Sequence, residues 1–266
     1  MSLNVPTEKL GSCALKISED IKKFVGKAKA EGAVIALSGG LDSSVVLVLA
    51  KNSGVDIYGL VMPNVGVNNP QDREDAILLA KKLEVPYEVI EINQVVESFR
   101  SLYPWGKYSG EIVKTTQANI MPRVRMILNY ATANLKNYVV LGTGNRTELL
   151  VGYFTKYGDG GVDALPIGGL YKTQVKQLAK FLDIPDAIIS KTPSAGLWKG
   201  QTDEGELGLS YEELDNVLHN LVDHGKTLSE VIEITGVDKE KVESIKERIK
   251  LNAHKLSCPP IFIPLD

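Results

Sequence analysis

The stretch Ala33-Val34-Ile35-Ala36-Leu37-Ser38-Gly39-Gly40-Leu41-Asp42-Ser43-Ser44-Val45-Val46-Leu47-Val48-Leu49-Ala50 decides how this chain is built. Its first five residues are an unbroken apolar run, the pattern of a parallel-sheet strand buried on both faces. Its last six read as a buried helix. Glycines and serines join the two. Glycine lets a backbone approach a ligand closely, and the free N–H groups of a helix's first turn favour an anion. The hydroxyls of Ser38, Ser43 and Ser44 add donors. Between a strand and a helix, these positions point to a phosphate loop rather than a tight turn capped by Ser or Asp. The Gly-Lys-Ser/Thr ending of a Walker A loop is missing.

The same alternation continues outward. Thr7 is placed to cap a helix over 7–30, where Leu10, Ala14, Ile17, Ile21, Phe24 and Val25 recur at helical spacing. A strand over 57–62 stops at Pro63, and Pro70 opens a helix over 70–83 at a favoured first-turn position. A strand over 87–92 and a short helix to Tyr103 follow. The helix read over 115–136 contains Pro122, so a kink or restart is expected there. A strand over 138–141 runs into Gly142-Thr143-Gly144, then come helices over 145–152 and 171–182. From Tyr211 the chain reads as helical and strongly charged. This order predicts an α/β fold, a doubly wound parallel sheet with helices on both faces and helical N- and C-terminal extensions. One domain is expected over 1–266, with a helical region at 211–253 and a tail at 254–266. In such sheets ligands bind beyond the C-terminal strand ends, where the glycine clusters 38–40 and 142–144 both fall.

Composition narrows the chemistry. The 30 Lys and Arg against 33 Asp and Glu give a net charge of -3, which disfavours a dedicated nucleic-acid binder. Cys13 and Cys258 are the only cysteines, too few for a disulfide scaffold or a four-cysteine metal site. His219, His224 and His254 form no metal-ligand motif. No window approaches the ~18 apolar residues of a membrane span, and the N-terminus lacks a signal-peptide core, so a cytoplasmic protein without membrane contact is expected.

Ser38-Gly39-Gly40-Leu41-Asp42-Ser43-Ser44 resembles the pyrophosphate loop of the N-type ATP pyrophosphatases, which cleave ATP between the α- and β-phosphates. Leu141-Gly142-Thr143-Gly144-Asn145-Arg146-Thr147-Glu148 and the run from Gly152 through Phe154-Thr155-Lys156-Tyr157-Gly158-Asp159-Gly160-Gly161 to Asp163 single out one branch. With Leu170-Tyr171-Lys172, Pro193-Ser194-Ala195-Gly196-Leu197-Trp198, and His254-Lys255 before Pro259-Pro260, the chain resembles the ammonia-dependent NAD synthetases along nearly its whole length.

That resemblance implies an adenine nucleotide alpha hydrolase-like fold and a set of roles. Ala36, Leu37, Ser38, Gly39, Gly40, Leu41, Asp42 and Ser43 would bind ATP, together with Thr143, Lys172 and Ser194. Asp42 and Glu148 would hold Mg²⁺, which prefers oxygen ligands. Asp42 and Lys172 would be the catalytic pair, Lys172 offsetting charge on the phosphates. Arg123, Lys156, Asp163, His254 and Lys255 would hold deamido-NAD, whose pyrophosphate and carboxylate suit cationic partners. Arg125, two positions after Arg123 on the helix, is read as structural. The implied reaction is adenylation of the nicotinate carboxylate followed by attack of ammonia, yielding NAD, AMP and pyrophosphate.

A homodimer is implied as well. Cys13 and Cys258 are read as inert thiols, and the chain has no room for a glutamine amidase domain. Free ammonia is therefore the expected nitrogen source, with a separate glutaminase as the alternative donor. The rivals are a tRNA-thiolating or lysidine enzyme and a non-catalytic adenine-nucleotide module. The first lacks persulfide cysteines and a basic face, and the second would not need Glu148 and Lys172. The stretches 103–114 and 191–209 are expected to be irregular lids.

Overall fold

A computed structural model describes residues 3–262 of the chain; the last four residues of the expected tail lie outside the described residues. Helix α1 (Thr7–Lys27) leads into strand β1 (Gly32–Ala36), the strand read from the opening motif. Pro6 stands at the cap of α1 and no side chain caps it, so Thr7 is the first helical residue rather than the cap. The helix ends three residues earlier than its apolar spacing allows, and Lys29 turns the chain with φ of 55°.

After β1 come α2 (Leu41–Asn52), β2 (Asp56–Val61), α3 (Pro70–Lys82), β3 (Tyr87–Val89) and α4 (Asn93–Leu102). Helices α5 (Glu111–Ala118) and α6 (Ile120–Lys136) then precede β4 (Tyr138–Leu141). The strands form one parallel sheet in the order β3-β2-β1-β4. Gly32 pairs with both Asp56 and Tyr138, so β1 is central. The order reverses between β1 and β4, which is where an open α/β sheet leaves a crevice for ligands.

Side chains alternate across the sheet with the strand period of two. Ala33, Ile35, Ile57, Val61, Val139 and Leu141 pack with α1, α2 and α8 (Lys172–Phe181) on one face. Val34, Leu60 and Val140 pack with Val96, Met121 and Val124 on the other. That double burial explains why β1 reads as a continuous apolar run.

The single helix expected over 115–136 is two helices. The break falls at Asn119, and Pro122 occupies the first turn of α6, where its missing N–H leaves no bond unmade. A short 3₁₀ turn at Trp105–Lys107 and the start of α5 give the 103–114 stretch more order than its sequence indicates.

The remaining helices are α7 (Arg146–Val151), α8 (Lys172–Phe181), α9 (Asp186–Ile189), α10 (Asp203–Leu207), α11 (Tyr211–Leu218), α12 (Leu228–Thr235) and α13 (Lys239–Asn252). The turn α10 lies inside the 191–209 stretch. A π-helical turn, His219–Asp223, continues α11. These C-terminal helices build their own apolar cluster around Leu214, Leu218, Val231 and Val242, which reaches back to Val151 and Tyr171. Among the described residues no helix is long and apolar enough to cross a membrane.

Candidate active site

The phosphate loop lies at the sheet reversal and is shaped by its backbone. Gly39 has φ of 76°, and a Cβ built there would meet the Asp72 carbonyl oxygen at 1.9 Å. Only glycine meets both demands. Ser38 Oγ and Ser43 Oγ lie 2.9 Å apart, Gly40 N–H donates to Ser38 Oγ at 3.2 Å, and Ser44 Oγ donates to the Gly40 carbonyl at 2.8 Å. No side chain caps α2, so its first turn presents N–H groups in the way that suits an anion.

Opposite the loop, the end of β4 supplies the second wall. Asn145 and Glu148 form a reciprocal capping box at the start of α7: each side chain accepts from the other's backbone N–H at 3.1 Å. The Asn145 amide then donates to Asp42 Oδ1 at 3.1 Å, bridging the two strand ends. Lys172, the first residue of α8, donates to Asp42 Oδ2 and stands 3.9 Å from Glu148 Oε1. Its side chain is only 9% exposed, and its ammonium lies 5.2 Å from the centre of the Tyr211 ring.

Burial and the nearby Asp42 charge push the Glu148 carboxyl up to about 8, against the pull of Lys172. Burial alone would lower Lys172, but Asp42 and Glu148 outweigh it and hold the ammonium well above its ordinary value. Two carboxylates with a shortage of positive charge suit a divalent cation. Among the described residues no three His, Cys, Asp or Glu gather closely enough to hold a metal by themselves. Two protein oxygens completed by substrate phosphates and water is the usual arrangement for Mg²⁺, so Asp42 and Glu148 fit that ion.

A carboxylate missed in the sequence holds this set in place. Asp215 of α11 is fully buried; it accepts from the Thr147 hydroxyl and, at 2.8 Å, from Thr173 N–H. Thr147 Oγ1 in turn accepts from Lys172 N–H at 2.9 Å. The neighbours of Glu148 and Lys172 are thus tied to one carboxylate. Asp203, also missed, accepts from Tyr211 OH at 2.9 Å, Tyr153 OH at 3.0 Å and Ala195 N–H at 2.9 Å, fixing the segment that bears Ser194. Asn145, which the sequence reading passed over, could have been found from its capping-box spacing to Glu148; Asp203 and Asp215 carry no local motif.

A cleft of about 810 Å³ opens over this arrangement. Of the expected residues, Ala36, Ser38, Gly40, Leu41, Asp42, Ser43, Thr143, Glu148, Lys172, Ser194 and Lys255 line it. The Leu37 side chain points into the apolar core, and Gly39 packs on α3.

Of the other expected dinucleotide contacts, Arg123, Lys156 and His254 are linked to one another on the rim, and Asp163 stands apart from them. Arg123 is exposed and donates to the Lys156 carbonyl at 3.4 Å, and Lys156 Nζ donates to the His254 carbonyl at 2.8 Å. Lys255 Nζ donates to the Gly152 and Phe154 carbonyls at 2.6 and 3.1 Å. Asp163 accepts from Val140 N–H at 2.7 Å and Tyr130 OH at 3.0 Å. Arg125 lines the cleft: it donates to the Met62 carbonyl at 3.1 Å and Asn68 Oδ1 at 2.9 Å, and burial lowers its guanidinium to about 10. Its bonds are those of a structural arginine, yet it faces the ligand space.

A parallel sheet reversing beside a glycine–serine loop, with a carboxylate–lysine set across the reversal, defines an α/β nucleotide-binding protein. Residues 14–259 match the NAD synthase family, and the chain belongs to it. An NH(3)-dependent NAD(+) synthetase of Archaeoglobus fulgidus is 45% identical over 248 residues, covering 92% of this chain and 94% of that protein. Among solved structures, NMN synthetase from Francisella tularensis is 35% identical with a TM-score of 0.82, covering 97% of this chain and all of that one. The NH3-dependent NAD synthetase of Campylobacter jejuni is 30% identical with a TM-score of 0.78, over the same shares.

Proposed function

We propose that this chain, as a single unit over 1–266, converts deamido-NAD to NAD with ATP and ammonia, releasing AMP and pyrophosphate. The observation that carries the reading is the Asp42–Lys172–Glu148 set, with Lys172 buried between two part-buried carboxylates, facing the Ser38–Ser44 loop across the sheet reversal. The nicotinate carboxylate oxygen attacks the α-phosphorus of ATP, and the bond from that phosphorus to the bridging oxygen breaks. The loop N–H groups and serine hydroxyls hold the departing pyrophosphate, and Lys172 faces the charge that builds on it. Ammonia then attacks the acyl carbon, AMP leaves with the former carboxylate oxygen, and one proton is lost from nitrogen. No side-chain nucleophile is required, so positioning and fixed charge do the catalytic work. Mg²⁺ held by Asp42 and Glu148 supplies further positive charge to the phosphate oxygens when bound.

Ammonia is the proposed nitrogen source. Burial pushes the Cys13 thiol up, away from the reactive thiolate form, which supports its reading as inert. A homodimer is proposed too: Arg123, Lys156, Asp163 and His254 stand outside the cleft of one chain, where a second copy would enclose the dinucleotide. Closure of 103–114 and 191–209 over ATP would shield the acyl adenylate from water.

The likeness to an NMN synthetase supports a second reading, amidation of the corresponding mononucleotide. Turnover of pure protein with ATP, Mg²⁺, ammonium and either deamido-NAD or its mononucleotide counterpart separates the two. AMP with deamido-NAD preferred is the expected result, and ADP as product overturns the mechanism. Equal rates with glutamine and ammonium would sink the ammonia assignment.

A further inference from the structure

The segment bearing Ser194 is anchored at its root by Lys191, a residue that the roles above leave unused. Lys191 Nζ donates to the Gly39 carbonyl at 2.9 Å and to Asp72 Oδ1 at 2.7 Å, and lies 2.5 Å from Asp75 Oδ2. An ammonium has three N–H donors. Here three acceptors surround it, one from the phosphate loop and two from α3. Burial would raise the Asp75 carboxyl, but hydrogen bonds from Lys191 and Gln71 hold it below the ordinary carboxylate range.

Gly39 is where such an anchor acts on the loop. Its turn already sits against the Asp72 carbonyl, close enough to exclude a Cβ. A peptide unit is planar, so fixing the Gly39 carbonyl also fixes the direction of the Gly40 N–H. That N–H donates to Ser38 Oγ, which meets Ser43 Oγ inside the loop. The orientation of several donors thus passes through one peptide plane. Lys191, itself on the cleft wall, holds that plane while tethering the stretch of chain that carries Ser194 three residues later.

We propose that Lys191 is a positioning residue for the phosphate loop: it holds the Gly39–Gly40 peptide against α3 and ties the Ser194 segment to the same point. The proposal rests on reading the loop as the ATP site. It acts through backbone orientation, without contact between Lys191 and the reacting atoms.

The test compares Lys191→Met, Lys191→Arg and Asp75→Asn with the parent, as full-length proteins, by calorimetric ATP binding and by KM for each substrate. Lys191→Met removes a charge-assisted clamp and is expected to weaken ATP binding about tenfold, with the KM for the dinucleotide changed less than about twofold. Lys191→Arg keeps the charge and should recover most of the affinity. Asp75→Asn should weaken ATP binding by a smaller factor in the same direction. ATP affinity within about twofold of the parent in Lys191→Met overturns the proposal, as does an equal rise in both KM values. If Lys191→Met fails to fold, parent-like ATP affinity in Asp75→Asn overturns it, and a selective loss there supports it. ATP binding without turnover in the parent would sink the proposed reaction while leaving the calorimetric comparison readable.

Discussion

At the floor of the cleft, Lys172 is enclosed by two carboxylates and an aromatic ring. On the rim, Arg123 and Lys156 give their donors to the main-chain carbonyls of Lys156 and His254. The floor cation is part of a network of opposite charges and cannot leave without stranding them in a buried place. The rim cations hold neutral acceptors, which an anion can replace with stronger, charge-assisted bonds. One region holds its cation among opposite charges, whereas the other leaves its cations on neutral acceptors that a charged group can displace.

Substitution should separate the regions sharply. Lys172→Met is expected to lower kcat by about 10³-fold, the scale of losing a pre-organised electrostatic group. Lys156→Met should raise the dinucleotide KM by about tenfold and leave the ATP KM nearly unchanged. Steady-state kinetics on both variants checks the pair, and matching profiles would break the comparison.

Glu148→Gln sharpens it at the metal. The Mg²⁺ concentration for half-maximal rate should rise about tenfold or more, because ligand charge sets divalent affinity. A rim change such as His254→Ala should leave that titration in place. Activity measured against Mg²⁺ concentration decides, and an unaltered Glu148→Gln curve would overturn the proposal that Glu148 holds the ion.

The smallest effect is expected behind the floor, where Asp223 accepts from Tyr171 OH at 3.0 Å and pairs with His219 Nδ1 at 2.9 Å and with Arg146. Burial would raise this carboxyl, but the bonds to His219, Arg146 and Tyr171 outweigh it and hold it below 3.8. A depressed carboxylate stabilises the fold above its unfolded pKa, and that stabilisation is lost as pH falls through the folded value. Asp223→Asn should therefore lower Tm at neutral pH and narrow the gap to the parent below about pH 3.8. Thermal melts across that range provide the check.

Much of the floor was legible in the chain because local chemistry dictates it. The apolar run 33–37, the glycines at 39–40 and the helix that follows are neighbours in sequence and in space. The fold followed from strands alternating with helices, with the central strand β1 buried on both faces. Pro122 marks a kink or restart in the sequence, but the break falls three residues earlier, at Asn119, where neither proline nor glycine stands. The phase of α6 decides that Arg125 faces the cleft and Arg123 the rim. Asp203 and Asp215 were illegible for another reason. Each is one of several acids in its short helix, and the partners Tyr153, Thr147 and Thr173 lie 42 to 68 residues away.

The distance along the chain between Asp42 and Lys172, 130 residues, has a consequence for how the protein is made. At a synthesis rate of roughly 5–20 residues per second, the loop leaves the ribosome about 7–26 s before its counter-charge. Strand β4, the partner of β1 on the crevice side, also emerges late. Throughout that interval the nascent chain carries Asp42 in water, and the crevice closes electrically only when α8 arrives.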